Sequence, residues 1–436
     1  MADKIYLIAL CGAADRPEGG TPTPLEQADL PNLDGLAARG SNGLLTLIDT
    51  DTPPESDSGA LGLLGYDPVA HYAGRGPLEG FGMGFLRPQA AVSTVCFRLN
   101  MASFDPARAE LDRRTARDLS DEELQALLET VRAEVSLADL GASYEVMGFG
   151  RHRGIIAFHH AGAALSGEVT STDPQYERVG AFGVPRRTHA AGPLPCEPIV
   201  DTPAARRTAQ LVNAFVERSA ASLEAAPVNR RRREGGRLAA NRIILRDGGD
   251  RLPELKPFEE LHGRTLTVFG QVPAERGLAQ LMGAGFVDGR QPAGQADADY
   301  YRDLAAALAA DPAGVVYVHV KGPDEAAHDG DAQGKTDALE SLDAHFFGQL
   351  LPAVTAADTV IVTGDHATPW RLRIHSADPV PVAVAGPGVP VDEVMSFSER
   401  AAVTGRLGHR RACDLLPAVT TVGQPGRHHT GGEANA

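Results

Sequence analysis

The sequence predicts an α/β protein: a core sheet of largely parallel strands, interrupted by an inserted α+β domain. Three observations carry this. Short runs rich in β-branched residues and bounded by Gly and Pro read as buried parallel strands. Strand–helix alternation begins at the N-terminus, breaks off, and resumes after a long segment of different character. The 436 residues exceed one ordinary core and suggest two domains. The expected core is residues 1–71 and 236–436, and the expected insertion is residues 72–235.

In chain order, residues 4–10 read as a buried strand ending at Cys11-Gly12, and residues 30–40 have helical spacing with a terminal Gly. Residues 51–58 form a Pro- and Asp-rich loop, with a short helix at 59–65 behind it. In the insertion, strands are expected at 92–99 and 154–160 and helices at 121–137 and 203–224. A second α/β series then opens at 242–245 and continues with strands at 265–269, 315–320, 359–363 and 381–385. The run Arg230 to Arg233 reads as a solvated helix face. The tail from Gly423 reads as frayed, with His428, His429 and also His409 as surface residues.

A formal charge of −16 argues against a nucleic-acid surface, and any anionic ligand needs locally concentrated arginines. Four widely spaced cysteines without a CxxC pair favour a reducing cytoplasm. The N-terminus lacks a cationic, long apolar leader, and no run reaches the ~18 apolar residues of a membrane span. The oligomeric state stays open.

The chemistry concentrates near the C-terminal end. The strand at 315–320 is followed by Lys321-Gly322-Pro323-Asp324-Glu325-Ala326-Ala327-His328-Asp329. The strand at 359–363 is followed by Gly364-Asp365-His366, with His375 nine residues beyond His366. Open α/β sheets place ligand sites just past the carboxyl ends of their strands, which brings Asp324, His328, Asp365, His366 and His375 to one rim. Carboxylate and imidazole donors together suit a divalent ion such as Mn²⁺, Zn²⁺, Co²⁺ or Mg²⁺. Ser56 precedes the short helix. Alone it is an ordinary N-cap, but beside a metal its hydroxyl becomes an accessible nucleophile.

The chain resembles the archaeal-type, 2,3-bisphosphoglycerate-independent phosphoglycerate mutases of the alkaline phosphatase superfamily. The matching stretches are Pro31-Asn32-Leu33-Asp34-Gly35-Leu36-Ala37, Leu64-Gly65-Tyr66-Asp67-Pro68, Gly74-Arg75-Gly76-Pro77, residues 321–331, and His375-Ser376-Ala377-Asp378-Pro379-Val380-Pro381. The resemblance implies an alkaline-phosphatase-like core, an inserted phosphotransfer domain, and one or two divalent metals per chain. It implies that a serine takes the phosphoryl group of a phosphoglycerate and returns it to the other hydroxyl. Ser56 matches the nucleophile, Asp324, His328 and His375 match the ligands of one metal, and Asp365 and His366 match ligands of the second.

Departures from the pattern are as informative. Where the family has an Asp ligand at the end of its first strand, this chain has Cys11. That cysteine reads equally as a thiolate ligand favouring a softer ion such as Zn²⁺, as a sign of a weak or vacant second site, or as a neutral buried residue. The family's Ser-Asp-Thr-Ala-His becomes Ser56-Asp57-Ser58-Gly59-Ala60, and its Thr-Asp-Pro-His becomes Thr172-Asp173-Pro174-Gln175. A sulfatase cysteine is a poor fit, because Cys-x-Pro-x-Arg is not present at Cys11-Gly12-Ala13-Ala14-Asp15. Arg75, Arg113, Arg114 and Arg153, together with Arg98 and Arg151, are the candidate forks for phosphate and carboxylate. The expected substrate is a small phosphorylated carboxylic acid. A specialised phospho- or phosphonotransferase, a phosphatase, and a non-enzymatic binding homologue are the alternatives.

Overall fold

The computed structural model describes residues 3–86, 92–105, 107–113, 118–186 and 191–422. Arg114 and the tail histidines His428 and His429 lie outside these residues. The strands, in chain order, are β1 (Ile5–Leu10), β2 (Ser41–Thr46), β3 (Ser93–Asp105), β4 (Glu110–Asp112) and β5 (Ala142–Gly148). They continue with β6 (Arg153–His160), β7 (Tyr176–Val179), β8 (Phe182–Pro185), β9 (Arg242–Gly249) and β10 (Leu266–Gly270). The last five are β11 (Gly285–Asp288), β12 (Val315–Val320), β13 (Thr359–Gly364), β14 (Val380–Ala385) and β15 (Gly408–Arg411).

The chain divides into two compact units, one of residues 1–70, 256–269 and 283–436, the other of residues 71–255 and 270–282. The first holds an eight-stranded sheet in the order β11-β10-β12-β1-β13-β14-β2-β15. β1 pairs in parallel along all six residues with β12 on one side and β13 on the other. All six residues of β1 and of β12 are buried, as continuous apolar runs demand of a sheet covered on both faces. On one face Tyr6, Ile8, Leu10, Val316, Val318 and Val320 pack against residues of the helices Pro31–Ala38 and Asp297–Ala310. β14, expected to extend the parallel series, instead runs antiparallel to both β13 and β2.

The second unit is built on an antiparallel sheet, β4-β3-β6-β5, with β9 paired along β3. The helices Asp121–Glu134 and Pro203–Ala225 supply Leu124, Leu128, Val212 and Phe215 to its core, where Phe215 meets Phe158 edge-on at 5.6 Å. Two expectations change here. Residues 242–245 were to open the second core series. They belong to β9 of this sheet, because Ile243 and Leu245 bury their side chains in its core. The unit accordingly runs to Leu255 rather than 235, and it reclaims residues 270–282.

The arginine run is also not uniformly solvated. Arg232 in the helix Pro227–Glu234 is fully buried, whereas Arg230, Arg231 and Arg233 are exposed. Its guanidinium ion-pairs with Asp118 and, at 2.9 Å, with Glu123, and it donates to Leu238 O. Removing the arginine empties a fully buried site and takes one of its two arginine partners from Glu123. Arg232→Ala should therefore cost about 3 kcal/mol in chemical denaturation. Arg230→Ala should stay within about 0.5 kcal/mol of wild type. Among the described residues no helix is long and apolar enough to cross a membrane.

Candidate metal centre

The parallel registers of β1, β12 and β13 end their strands level, so the residues just beyond them meet in one place. Cys11 follows β1, Asp324 opens the helix Pro323–Asp329 after β12, and Asp365 and His366 follow β13. His328 closes the same short helix as Asp324, four residues later and therefore on the same face. His375 returns from the loop before β14.

Two glycines make the closeness possible. Gly12 adopts φ +60°, and a Cβ there would stand 2.7 Å from both Asp324 Oδ1 and Thr368 Oγ1. Gly59 sits in the wholly buried helix Ser56–Leu63, where a Cβ would come within 2.0 Å of the Asp365 carbonyl oxygen. That absent side chain lets the helix carrying Ser56 press against the end of β13.

Three histidines present one nitrogen outward and one inward. Nδ1 of His328 lies 2.9 Å from Arg373 O, Nδ1 of His375 lies 2.9 Å from Pro54 O, and Nδ1 of His366 lies 3.0 Å from Thr368 Oγ1. With Nδ1–H donating to these acceptors, each Nε2 keeps its lone pair. The Nε2 atoms of His328 and His375 are 3.2 Å apart, and they lie 3.4 and 3.6 Å from Asp324 Oδ1. His366 Nε2 is 3.3 Å from Asp365 Oδ2, 3.4 Å from Ser56 Oγ and 3.8 Å from Cys11 Sγ. Buried Asp365 Oδ2 lies 3.0 Å from His319 Nε2 as well. Facing lone pairs beside buried carboxylates are costly in isolation and are what a cation resolves. The donor set thus fits divalent metal.

Burial and charge act against each other throughout. Burial raises the Asp324 carboxyl, but His328, His375 and His366 outweigh it and hold the group well below the usual range. Burial likewise raises Asp365, and His366 and His319 bring it down. Burial lowers His366 to about 4 against the pull of Asp365. Burial also lowers His328, whereas His375 ends up raised because Asp324 and Glu55 overcome its desolvation. The Cys11 thiol is pushed up by burial and then by Asp365.

Thr368 joins the donors to one another. Its hydroxyl takes the His366 Nδ1 hydrogen bond and donates to Asp324 Oδ1 at 2.8 Å. Its carbonyl is held at 2.9 Å by Lys335 Nζ, a fully buried ammonium that also meets Ala14 O and Asp15 Oδ2. Neither Thr368 nor His319 stood out in the sequence. A threonine has no motif of its own, and His319 was hidden inside a strand run.

The candidate arginines lie in the other unit. Arg75 opens the helix Arg75–Gly82, and its buried guanidinium pairs with Glu79 at 2.8 Å. Arg113 pairs with Asp173 at 2.7 Å and reaches Gln175 Oε1 at 2.5 Å. Arg153 starts β6, opposite Asn100, and Arg151 is exposed. Arg246, which no motif marks in the sequence, is buried, faces Arg98 across β3 and β9, and stacks 3.6 Å from the Tyr176 ring centre. Arg113 covers the same ring at 5.2 Å.

The model of the 2,3-bisphosphoglycerate-independent phosphoglycerate mutase family matches residues 37–229. An Aeropyrum pernix protein bearing that name is 36% identical over 93% of this chain and 96% of its own length. A Methanopyrus kandleri protein of the same name is 38% identical over 95% and 94%. The chain belongs to this phosphoglycerate mutase family. Among solved structures, a Pyrococcus horikoshii protein superposes with a TM-score of 0.74 at 26% identity, covering 98% of this chain and all of the other. The cofactor-independent phosphoglycerate mutase of Thermoplasma acidophilum gives 0.55 at 26% identity, covering 96% of this chain and all of that one. The family is one of metal-dependent enzymes, in agreement with the donor set at Asp324, His328 and His375.

The lowered His366 makes a pH prediction. Its folded pKa lies below the ordinary 6.5, so its contribution to stability is present above pH 6.5 and is lost as pH falls through about 4. Chelator-treated protein should lose melting temperature over that window. His366→Asn should flatten the slope by up to about 3 kcal/mol between its ends. The raised His375 works in the opposite sense, so the comparison with the variant isolates His366.

Proposed function

We propose that this chain interconverts 3-phosphoglycerate and 2-phosphoglycerate without a bisphosphoglycerate cofactor, through a phosphoserine at Ser56. The observation that carries this is the position of Ser56. It is the first residue of a buried helix, with Oγ 3.4 Å from His366 Nε2 and 3.8 Å from Cys11 Sγ, and family membership supports the reaction.

Asp324, His328 and His375 would hold one divalent ion, and Asp365 and His366, with Cys11 Sγ 3.8 Å from His366 Nε2, would hold a second. Mn²⁺ or Zn²⁺, with Co²⁺ and Mg²⁺ behind them, are the ions we assign. When bound, such an ion supplies positive charge for the phosphoryl oxygens and favours the deprotonated serine. The remaining work belongs to the side chains. Ser56 Oγ forms a bond to phosphorus as the bond to the substrate oxygen breaks, and that oxygen gains a proton to leave a bound glycerate. The glycerate's other hydroxyl then attacks the phosphoserine, its proton going to solvent or a neighbouring base, and Ser56 is regenerated. The positive end of the helix dipole beside Ser56 favours the anionic group arriving there. In the other unit, Arg113 with Arg75, Arg114 and Arg153 is assigned to phosphate and carboxylate, and Arg246, stacked on Tyr176, and Arg98, its partner across β3 and β9, join that assignment. Four free, buried cysteines agree with a cytoplasmic setting.

Ser56→Ala should abolish isomerisation, with loss beyond about 10³-fold, while leaving the melting temperature close to wild type. Quenched wild-type reactions should carry phosphate on Ser56 by mass spectrometry. A Ser56→Ala variant with full turnover overturns the assignment, and release of inorganic phosphate in place of isomer would mark a phosphatase. Elemental analysis should find at least one divalent metal per chain, and His328→Ala should lose the ion of the Asp324–His328–His375 set.

A further inference from the structure

The donor atoms fall into two sets of unequal chemistry. Asp324, His328 and His375 offer one oxygen and two nitrogens, and both Asp324 and His328 are only partly buried. Cys11, Asp365 and His366 offer sulfur, oxygen and nitrogen, and all three are buried, with His366 Nε2 lying 3.8 Å from Cys11 Sγ and 3.3 Å from Asp365 Oδ2. The sulfur is not peripheral. Cys11 groups with His319 and Asp365, and again with Asp324 and His366, with ligand atoms inside 4.8 Å in each case.

The distances of this set from His366 Nε2 and from the neighbouring Ser56 Oγ can be compared with known coordination geometries. Zinc bound tetrahedrally with Zn–N and Zn–O near 2.0–2.1 Å separates those ligands by about 3.4 Å, and a thiolate at about 2.3 Å stands about 3.6 Å from the nitrogen. Here Asp365 Oδ2 and His366 Nε2 are 3.3 Å apart, Ser56 Oγ and His366 Nε2 3.4 Å, Cys11 Sγ and His366 Nε2 3.8 Å, and Cys11 Sγ and Ser56 Oγ 3.8 Å. Octahedral Mg²⁺ at about 2.0–2.1 Å would bring neighbouring ligands to about 2.9 Å, closer than any of these. Thiolate donors select Zn²⁺ over Mg²⁺ and Mn²⁺, which prefer carboxylate, carbonyl and water.

We propose that the two cation sites of this chain sort metals: the buried Cys11–Asp365–His366 site takes a thiophilic ion, Zn²⁺ or Co²⁺, while the Asp324–His328–His375 site accepts harder ions such as Mn²⁺ as well. The proposal rests on the metal-centre part of the function above and makes the working enzyme a mixed-metal one. The sulfur sets the identity of the ion beside Ser56, and the neighbouring site is left to follow supply.

The test uses full-length protein stripped with chelator and reloaded with Co²⁺. The wild type should bind two equivalents, one of them with a sulfur-to-cobalt charge-transfer band in the near ultraviolet. Cys11→Ser should lose that band and keep the visible ligand-field absorption of the other site, which His328→Ala should diminish instead. In competition, one equivalent of Zn²⁺ should remove the band even against a hundredfold excess of Mn²⁺. Cys11→Asp should bind a second Mn²⁺ at least tenfold more tightly than wild type, counted by electron paramagnetic resonance of the free ion. Two bound Co²⁺ without a charge-transfer band overturn the proposal. So does a wild type that binds two Mn²⁺ with the affinity of Cys11→Asp. None of these readouts needs turnover, so an inactive Ser56 reading and a failed metal assignment give separate results.

Discussion

β1 lies between β12 and β13, and its register with both is continuous from Ile5 to Leu10. Leu10 stands level with Val320 and Gly364, so Cys11, the loop leading to Asp324, and Asp365 leave the sheet at one height. Side chains alternate faces along a strand, so a slip of one residue in either pairing would turn β1's apolar set over and carry Cys11 away from Asp365. The register that packs Tyr6, Ile8 and Leu10 against the helices therefore also fixes the metal centre. Stability and chemistry depend on one register.

That register concentrates donors where water cannot relieve them. Asp365, His366 and Thr368 have no exposed surface, and the Cys11 thiol is almost as deep. The protein answers by giving each of His328, His366 and His375 a fixed acceptor for its outer nitrogen, two of them backbone carbonyls. Backbone acceptors cannot rotate away, so the inner nitrogens hold their direction. Thr368 ties the two donor sets together through a single hydroxyl, with Lys335 anchoring its carbonyl.

Much of this was legible in the sequence. Apolar runs bounded by Gly and Pro placed five of the core strands to within one residue, and the order of carboxylates and histidines after them pointed to one rim. What escaped had physical causes. β9 carries the same apolar signature as a core strand, and only its partner, β3, decides its sheet. Arg232 looks like its three neighbours in sequence, and its burial depends on Asp118 and Glu123, more than a hundred positions away. Thr368 and Gly59 act through single atoms present or missing, which no periodicity records. Arg246 and Arg98 become a pair only through antiparallel registration.

The discontinuity of the first unit has a consequence for how the chain is made. β1 is made before the long segment of the second unit, yet both of its pairing partners follow that segment in the chain. The second unit owns the intervening stretch to Leu255 and draws nearly all its strands from it. As the chain leaves the ribosome, local pairing in that stretch precedes closure of the large sheet, because contacts distant in sequence are the slowest to form. Through that interval the apolar run Ile5 to Leu10 is an unpaired strand seeking an edge. The early arrival of β1 and the late arrival of β12 and β13 leave this strand, like β2 with its partners β14 and β15, unpaired until the second unit's long segment has been made.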